Sequence, residues 1–327
     1  MGRFLAVVTS LFLVALFASP VLTEETRPKF PPDETLSVPS LTLTDEQFLR
    51  GDTANGVPVT LTGELRFPNW DERLPAVVLL HGSDGAKSGS AFQWAAFLNK
   101  MGIATLRLDS FGGRDVDRVA MDQSQLSLFA QIYDTYRAVD VLAAHPRIDP
   151  SRIAVMGFSR GGFAALYTSM RRFQDLHGPT GARIAAHLPF YPLCGIQFVG
   201  ELEIADAPIR EFHGAADDWT PAAPCRDYIA RLRATGKDVH MTEYSGALHS
   251  FDERGTAPGY VIHSAQTARK CRRREEDGKI INIETGRPFT YNDACVELGP
   301  TVGYDKGATE AAQAAAREFF SGLFHLN

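Results

Sequence analysis

Continuous apolar runs alternating with segments of helical period dominate the middle of this chain. Ala76-Val77-Val78-Leu79-Leu80 is apolar at every position, as in a strand buried on both faces. Val59 to Phe67 alternates and predicts a strand. Ile103 to Leu108, Ile153 to Met156, Ile184 to Leu188, Pro208 to Phe212 and Val239 to Tyr244 predict others. Between them, Ala91 to Met101 has helical periodicity and stops at Gly102. Leu126 to Ala144 reads as a long helix ending near Pro146, and Pro221 to Ala234 as a helix stopped by Gly236. Ala308 to Leu323 is an Ala-rich amphipathic helix that closes the chain. Residues 24–40 are rich in Pro, Glu and Thr and read as an extended lead-in. Thr256 to Asp305 is polar and irregular, and reads as an insertion (about 256–305) packed on the same domain. Strands alternating with helices imply an α/β fold: a mostly parallel central sheet with helices on both faces. No internal repeat or second domain interrupts residues 24–327, and 327 residues suffice for one large core.

The N-terminus departs from this pattern. Arg3 is followed by an apolar run, Phe4 to Ala18, broken only by Thr9 and Ser10, and then by Ala18-Ser19-Pro20. This is the pattern of a secretory signal peptide at residues 1–23, with cleavage after Ala18 or after Thr23. The run is short for a membrane span, so no stable span is expected after cleavage; an uncleaved signal anchor is the alternative. The expected location is periplasmic or secreted. In an exported chain the four cysteines, Cys194, Cys225, Cys271 and Cys295, suggest two disulfides in one of three pairings. Cys271–Cys295 with Cys194–Cys225 is favoured, because the first pair brackets a Gly- and Asp-rich segment with little core of its own. No Cys or His spacing suits zinc, so no metal is expected. A formal net charge of −6 gives no reason to expect a nucleic-acid partner. The basic run Arg269-Lys270 and Arg272 to Arg274, followed by Glu275-Glu276-Asp277, reads as a solvated segment.

The candidate chemistry centres on Gly157-Phe158-Ser159-Arg160-Gly161, between the Ile153 strand and the helical Gly162 to Tyr167. Strand, G-x-S-x-G and helix together make the nucleophile elbow of the α/β-hydrolase fold, in which a tight turn lifts the serine hydroxyl above the sheet edge. Glycines two residues either side let strand and helix pass without Cβ clashes. A serine needs a base, and in this fold an acid and then a histidine follow it, each on a loop after a strand. His213-Gly214-Ala215-Ala216-Asp217-Asp218 follows the Pro208 strand and offers two neighbouring acids, of which only one can point at the histidine. Of His240, His249, His263 and His325, only His249 has the required place just beyond a strand. The loop His81-Gly82-Ser83 follows the Ala76 strand. The N–H of Ser83 and that of Arg160 are therefore the oxyanion-hole candidates. On the same rim, Phe111 and Trp219 are candidates to line the substrate cleft and Arg114 to meet an anionic group. The alternative for these three is loop packing and a surface ion pair.

Leu79-Leu80-His81-Gly82, Leu108-Asp109-Ser110-Phe111-Gly112, the elbow at Ser159, the Gly214 to Asp217 loop and His249-Ser250-Phe251-Asp252 together resemble the dienelactone hydrolase family. The resemblance runs from about the first buried strand to residue 252, and the stretch from Cys295 to Gly303 and the last helix also look like exported members. It implies an α/β-hydrolase fold, no cofactor and hydrolysis of a small-molecule ester or lactone. It also favours Asp217 over Asp218 as the triad acid. One departure matters: the enzymes that gave the family its name use a cysteine nucleophile, and Ser159 here points toward a serine carboxylester hydrolase. A peptidase or amidase on the same fold, or a binding protein without activity, are the alternatives.

Overall fold

The computed structural model describes residues 1–2, 33–68, 73–87 and 89–326. The signal peptide expected at residues 1–23 lies outside the described residues, its first two positions excepted. The central sheet is built from β1 (Glu34–Thr42), β2 (Val57–Arg66), β3 (Leu74–Leu80), β4 (Ala104–Asp109), β5 (Ile148–Phe158) and β6 (Ile184–Phe190). After the two-residue β7 (Ile196–Gln197), β8 (Ile209–Gly214) and β9 (Val239–Tyr244) complete it. The strand order is β1-β2-β4-β3-β5-β6-β8-β9. β1 and β2 are antiparallel to their neighbours, and every pairing from β4 to β9 is parallel. This is the α/β-hydrolase fold. The carboxyl ends of its parallel strands share one rim, where an open α/β sheet places its site.

The helices are α1 (Asp45–Arg50), α2 (Gly89–Lys100), α3 (Ala130–Ala143), α4 (Arg160–Tyr167), α5 (Arg171–His177), α6 (Ala222–Ala234) and α7 (Lys306–Phe324). All seven residues of β3 are buried, because successive side chains serve opposite layers. Val77 and Leu79 pack with Trp94 and Leu98 of α2 and Phe320 of α7. Ala76, Val78 and Leu80 pack with Ile132 and Tyr136 of α3 and Phe163 of α4. In α7 the buried Ala308, Ala312, Ala316, Phe320 and Phe324 recur every four residues, which draws one apolar stripe down a helix of 19 residues.

Four segments differ from the sequence pattern. Residues 24–40 are not lead-in throughout: β1 begins at Glu34 and pairs along its whole length with β2. Val38 and Ser40 alternate inward, and Pro39 is tolerated because β1 is an edge strand. α1 and α5 were hidden because each is short, yet Phe48 of α1 packs 4.4 Å from the ring of His177 and 5.0 Å from Phe129. Thr44 and Gln47 form a capping box for α1. The 256–305 segment has more order than its composition suggests. β10 (Tyr260–Val261) pairs with β16 (Thr301–Val302), and β11 (Gln266–Thr267) with β15 (Glu297–Leu298). β12 (Arg273–Glu276), β13 (Lys279–Asn282) and β14 (Arg287–Pro288) join β7 in a second small sheet. Disulfides join Cys194 to Cys225 and Cys271 to Cys295. Arg273 breaks the solvated reading of its basic run: it is buried, with its guanidinium over the Phe289 ring. No described helix is long and apolar enough to cross a membrane.

His187, on β6, is wholly buried. Its Nδ1 lies 3.0 Å from the Ala165 carbonyl, while Nε2 has no partner among the described residues. Burial pushes its pKa down to about 4 from 6.5, the carbonyl bond only partly offsetting that. Between those values the unfolded chain binds a proton that the folded chain refuses, so stability falls as the pH drops through the window. The expected loss is ~3 kcal/mol. Urea midpoints followed from neutral pH down to the folded value should fall less steeply in His187→Gln; parallel slopes in the two proteins would contradict the assignment.

Candidate active site

Ser159 sits between β5 and α4 with φ 55° and ψ −113°, a backbone conformation costing about 1–3 kcal/mol for a non-glycine residue. Neighbouring backbone enforces it. The Ser159 N–H donates to the Phe190 carbonyl of β6 at 3.0 Å, and its own carbonyl accepts from Phe163 at 2.8 Å. The flanking glycines are required by contact: a Cβ on Gly157 would lie 2.0 Å from the Gly161 carbonyl oxygen, and one on Gly161 2.3 Å from that of Leu80. The half-buried hydroxyl is thereby presented at the rim.

The structure brings Asp217 and His249 to this hydroxyl from the loops after β8 and β9. His249 Nε2 is 2.9 Å from Ser159 Oγ, and His249 Nδ1 is 2.7 Å from Asp217 Oδ2. Asp217 Oδ1 accepts from the backbone N–H groups of Trp219 at 2.8 Å and Thr220 at 2.9 Å. Burial alone would raise the Asp217 pKa, but His249 and His213 together hold it well below the usual carboxylate range. The His249 ring is clasped between Tyr191, 4.6 Å away, and Trp219, 4.9 Å away. Its backbone bridges to Val302, and its carbonyl accepts from Gly303 at 3.1 Å, so the returning end of the insertion buttresses the histidine. Asp218 turns the other way, accepting from the Thr301 N–H at 2.7 Å and pairing with Arg269. His240 and His263 are exposed, and His325 caps the end of α7.

Gly82 abuts Ser159: a Cβ there would lie 3.4 Å from Ser159 Cβ, which places the following residue, Ser83, beside the site. Arg160 is the first residue of α4, where an N–H has no intrahelical acceptor. The Arg160 side chain is buried and occupied, giving Nη1 to Gln123 Oε1 at 3.1 Å and Nη2 to the Ser127 carbonyl at 2.7 Å. His81 is structural. Its Nδ1 meets the Gly82 carbonyl at 2.8 Å, Nε2 accepts from Ser110 N at 3.2 Å, and burial lowers its pKa.

Of the three rim candidates, Trp219 lines the space at Ser159 and two do not. Phe111 is buried against Val119, Leu126 and Ala130, with its ring 4.4 Å from that of His81. Arg114 forms a buried fork with both oxygens of Asp134, at 2.8 and 2.9 Å, and Nε donates to Thr42 at 2.8 Å. It ties β1 to α3 and has no reach to a substrate. The reason is that β1 brings Thr42 and the Leu41 carbonyl, and α3 brings Asp134, to the Arg114 guanidinium.

Several residues at the site had no motif to announce them. Gln123 bridges Ser83 Oγ and Arg160, and its N–H donates to Gln266 Oε1 of the insertion at 2.9 Å. Trp219 Nε1 donates to the Gln266 carbonyl at 3.0 Å, and Thr267 Oγ1 to the Trp219 carbonyl at 2.7 Å. The insertion therefore holds both sides of the cleft. Two small cavities of about 40 and 20 Å³ flank Ser159, with Trp219 in the wall of both. A cleft of about 760 Å³ lies beyond, sharing Gln123, Leu128, Gln266 and Tyr291 with the first of them. Behind Asp217, Glu211 and His213 of β8 are also fully buried. An acid in the predicted Pro208 strand and a histidine two residues on, Glu211 and His213, were the signal available in the sequence.

The dienelactone hydrolase family model matches residues 62–276, more than half of the chain. An acylamino-acid-releasing enzyme of Arabidopsis thaliana is 26% identical over 172 residues; these are 52% of this chain and 21% of that protein, so the chain spans about a fifth of that relative's length. Among solved structures, a dienelactone hydrolase-like promiscuous phosphotriesterase from metagenomic libraries aligns with TM-score 0.55 at 18% identity, covering 89% of this chain and 98% of that one. Thermogutta terrifontis esterase 2, phosphoramylated by tabun, aligns with TM-score 0.50 at 21% identity, covering 70% of this chain and 88% of that one. At these identities the structural likeness shows the fold.

Gly157→Ala should collapse the turn, since the clash is with backbone that cannot rotate away. Loss of at least ~3 kcal/mol, or of soluble protein altogether, is expected. A urea midpoint within error of wild type would show that the elbow is looser than described.

Proposed function

Because this chain belongs to the dienelactone hydrolase family, a family of hydrolases, we propose that it is a serine carboxylester hydrolase working through Ser159, His249 and Asp217. The observation that carries this reading is the unbroken line of contacts, 2.9 Å from Ser159 Oγ to His249 Nε2 and 2.7 Å from His249 Nδ1 to Asp217 Oδ2. With Nδ1–H donated to Asp217, Nε2 keeps its lone pair toward the hydroxyl, the tautomer a general base needs. His249 takes the Oγ proton as Ser159 attacks the ester carbonyl. The N–H groups of Ser83 and Arg160 receive the oxyanion. His249 then gives its proton to the departing alcohol, and an acyl group remains on Ser159. Water attacks that acyl-enzyme with His249 again as base, and the acid leaves. Nothing in this sequence calls for a metal or cofactor.

The small space against Ser159 supports a short acyl group, with the wider cleft open to the rest of the substrate. Export belongs to the same proposal, supported by two disulfides and the apolar N-terminal run. The partial match to an acylamino-acid-releasing enzyme gives amide cleavage as a second reading. Paired ester and anilide substrates sharing one acyl group discriminate the two.

Mature protein should hydrolyse p-nitrophenyl acetate faster than the octanoate. Ser159→Ala should lose activity by roughly 10⁴-fold or more. A fluorophosphonate probe followed by peptide mapping should label Ser159. Equal rates in Ser159→Ala and wild type would reject the serine as nucleophile.

A further inference from the structure

We propose that Glu211 and His213 form a positioning pair for the triad acid: a doubly protonated His213 ring, held from behind by Glu211, clamps the Asp217–Thr220 turn and sets the field around His249. This rests on the triad reading above. The two side chains are two apart on β8 and so share one face of the strand. Both are fully buried, a costly place for ionisable groups that only close partners can offset.

The partners dictate the protons. His213 Nε2 lies 2.6 Å from the Thr220 carbonyl oxygen, which can only accept, so Nε2 carries a hydrogen. The same nitrogen is 3.5 Å from Asp217 Oδ2. His213 Nδ1 is 2.9 Å from Glu211 Oε1, and one proton lies between them. The Asp217 carboxylate beside the ring favours the charge on the imidazole, which puts that proton on Nδ1. In line with this, burial alone would lower the His213 pKa, but the bonds to Asp217 and Glu211 push it up to about 10. The other oxygen of Glu211 has no hydrogen-bond partner among the described residues. A carboxylate oxygen of Glu211 lies within 4.8 Å of both sulfurs of the Cys194–Cys225 disulfide, which has no proton to offer. Glu211 therefore spends its hydrogen bonding on His213.

Two consequences follow for the reaction. His213 anchors the Thr220 carbonyl while the Thr220 hydroxyl lies 3.0 Å from the Tyr191 carbonyl, so the turn that offers its N–H groups to Asp217 is held at Thr220 from β8 and from the residue after β6. The positive end of the pair also faces Asp217 and offsets part of the negative field that Asp217 exerts on His249. Asp84 acts on His249 from the loop after β3, Asp252 and Glu253 from its own loop, and Glu243 acts on the pair from β9. All four remain when the pair alone is altered.

Glu211→Gln tests the charge separately from the shape. The glutamine amide can donate to Nδ1, leaving a neutral ring that still gives Nε2–H to Thr220. With the positive end gone, the acid limb of the kcat/KM pH profile for p-nitrophenyl acetate should move up by roughly half to one unit, with KM changed less than about twofold. His213→Gln should lower kcat about tenfold with little change in KM, since the turn loses its anchor. In the unmodified protein, ¹⁵N NMR of the imidazoles should show both His213 nitrogens protonated at mildly alkaline pH, whatever the fate of the variants. A neutral His213 ring under those conditions would overturn the proposal, as would an unmoved acid limb in a folded Glu211→Gln protein. Wild type that fails to label at Ser159 would sink the triad reading instead, and the NMR result would still judge the pair.

Discussion

The close passage of two backbones at Ser159 governs everything else in this molecule. β5 runs into α4 so tightly that residues 157 and 161 have no room for a side chain, and Ser159 is forced to a positive φ. The unfavourable dihedral is held by the sheet itself, through the Ser159 N–H on the β6 carbonyl and the first helical bond of α4. A strained residue persists where its surroundings over-determine it. The same geometry aims the hydroxyl at the rim and leaves the N–H of Arg160 beside it.

Around that turn, fixed donors converge on one buried carboxylate. Asp217 receives two backbone N–H groups on one oxygen and His249 on the other, with His213 behind. Its anion is therefore stabilised by fixed donors. The insertion completes the arrangement from outside. Through Gln266 and Thr267 it holds Gln123 and Trp219, and through Val302 and Gly303 it supports the backbone of His249. A segment that looks peripheral by composition is thus part of the wall of the cleft. Cys271–Cys295 closes its loop.

The arginines nearest the rim are withdrawn from solvent. Arg114, Arg160 and Arg273 all lie near the cleft in sequence or space, and all three are buried. Arg114 is saturated by Asp134 and Arg160 is engaged with Gln123 and the carbonyls of Leu126 and Ser127, so each works as a tie between elements. An arginine read from a loop cannot reveal this, because its role depends on which acid the fold brings to it.

Local chemistry decided much of this protein. Apolar runs such as Ala76 to Leu80 can be satisfied only by burial on two faces, which settles a central parallel sheet, and the glycine spacing around Ser159 admits one kind of turn. The positions of Asp217 and His249 just past strands were legible for the same reason, since loop residues at the carboxyl ends of parallel strands share a rim. β1, α1 and α5 were not legible: an edge strand with only Val38 and Ser40 buried and with Pro39 between them, and helices of six and seven residues, carry too little periodicity to register. Which of two adjacent acids faces His249, the burial of Phe111 and Arg114, and the Glu211–His213 pair behind Asp217 were left to tertiary structure. The facing acid and the burial of Phe111 and Arg114 depend on contacts between residues twenty or more positions apart, and the pair depends on how the loop after β8 turns back on its strand; no pattern along the chain encodes a distance across it.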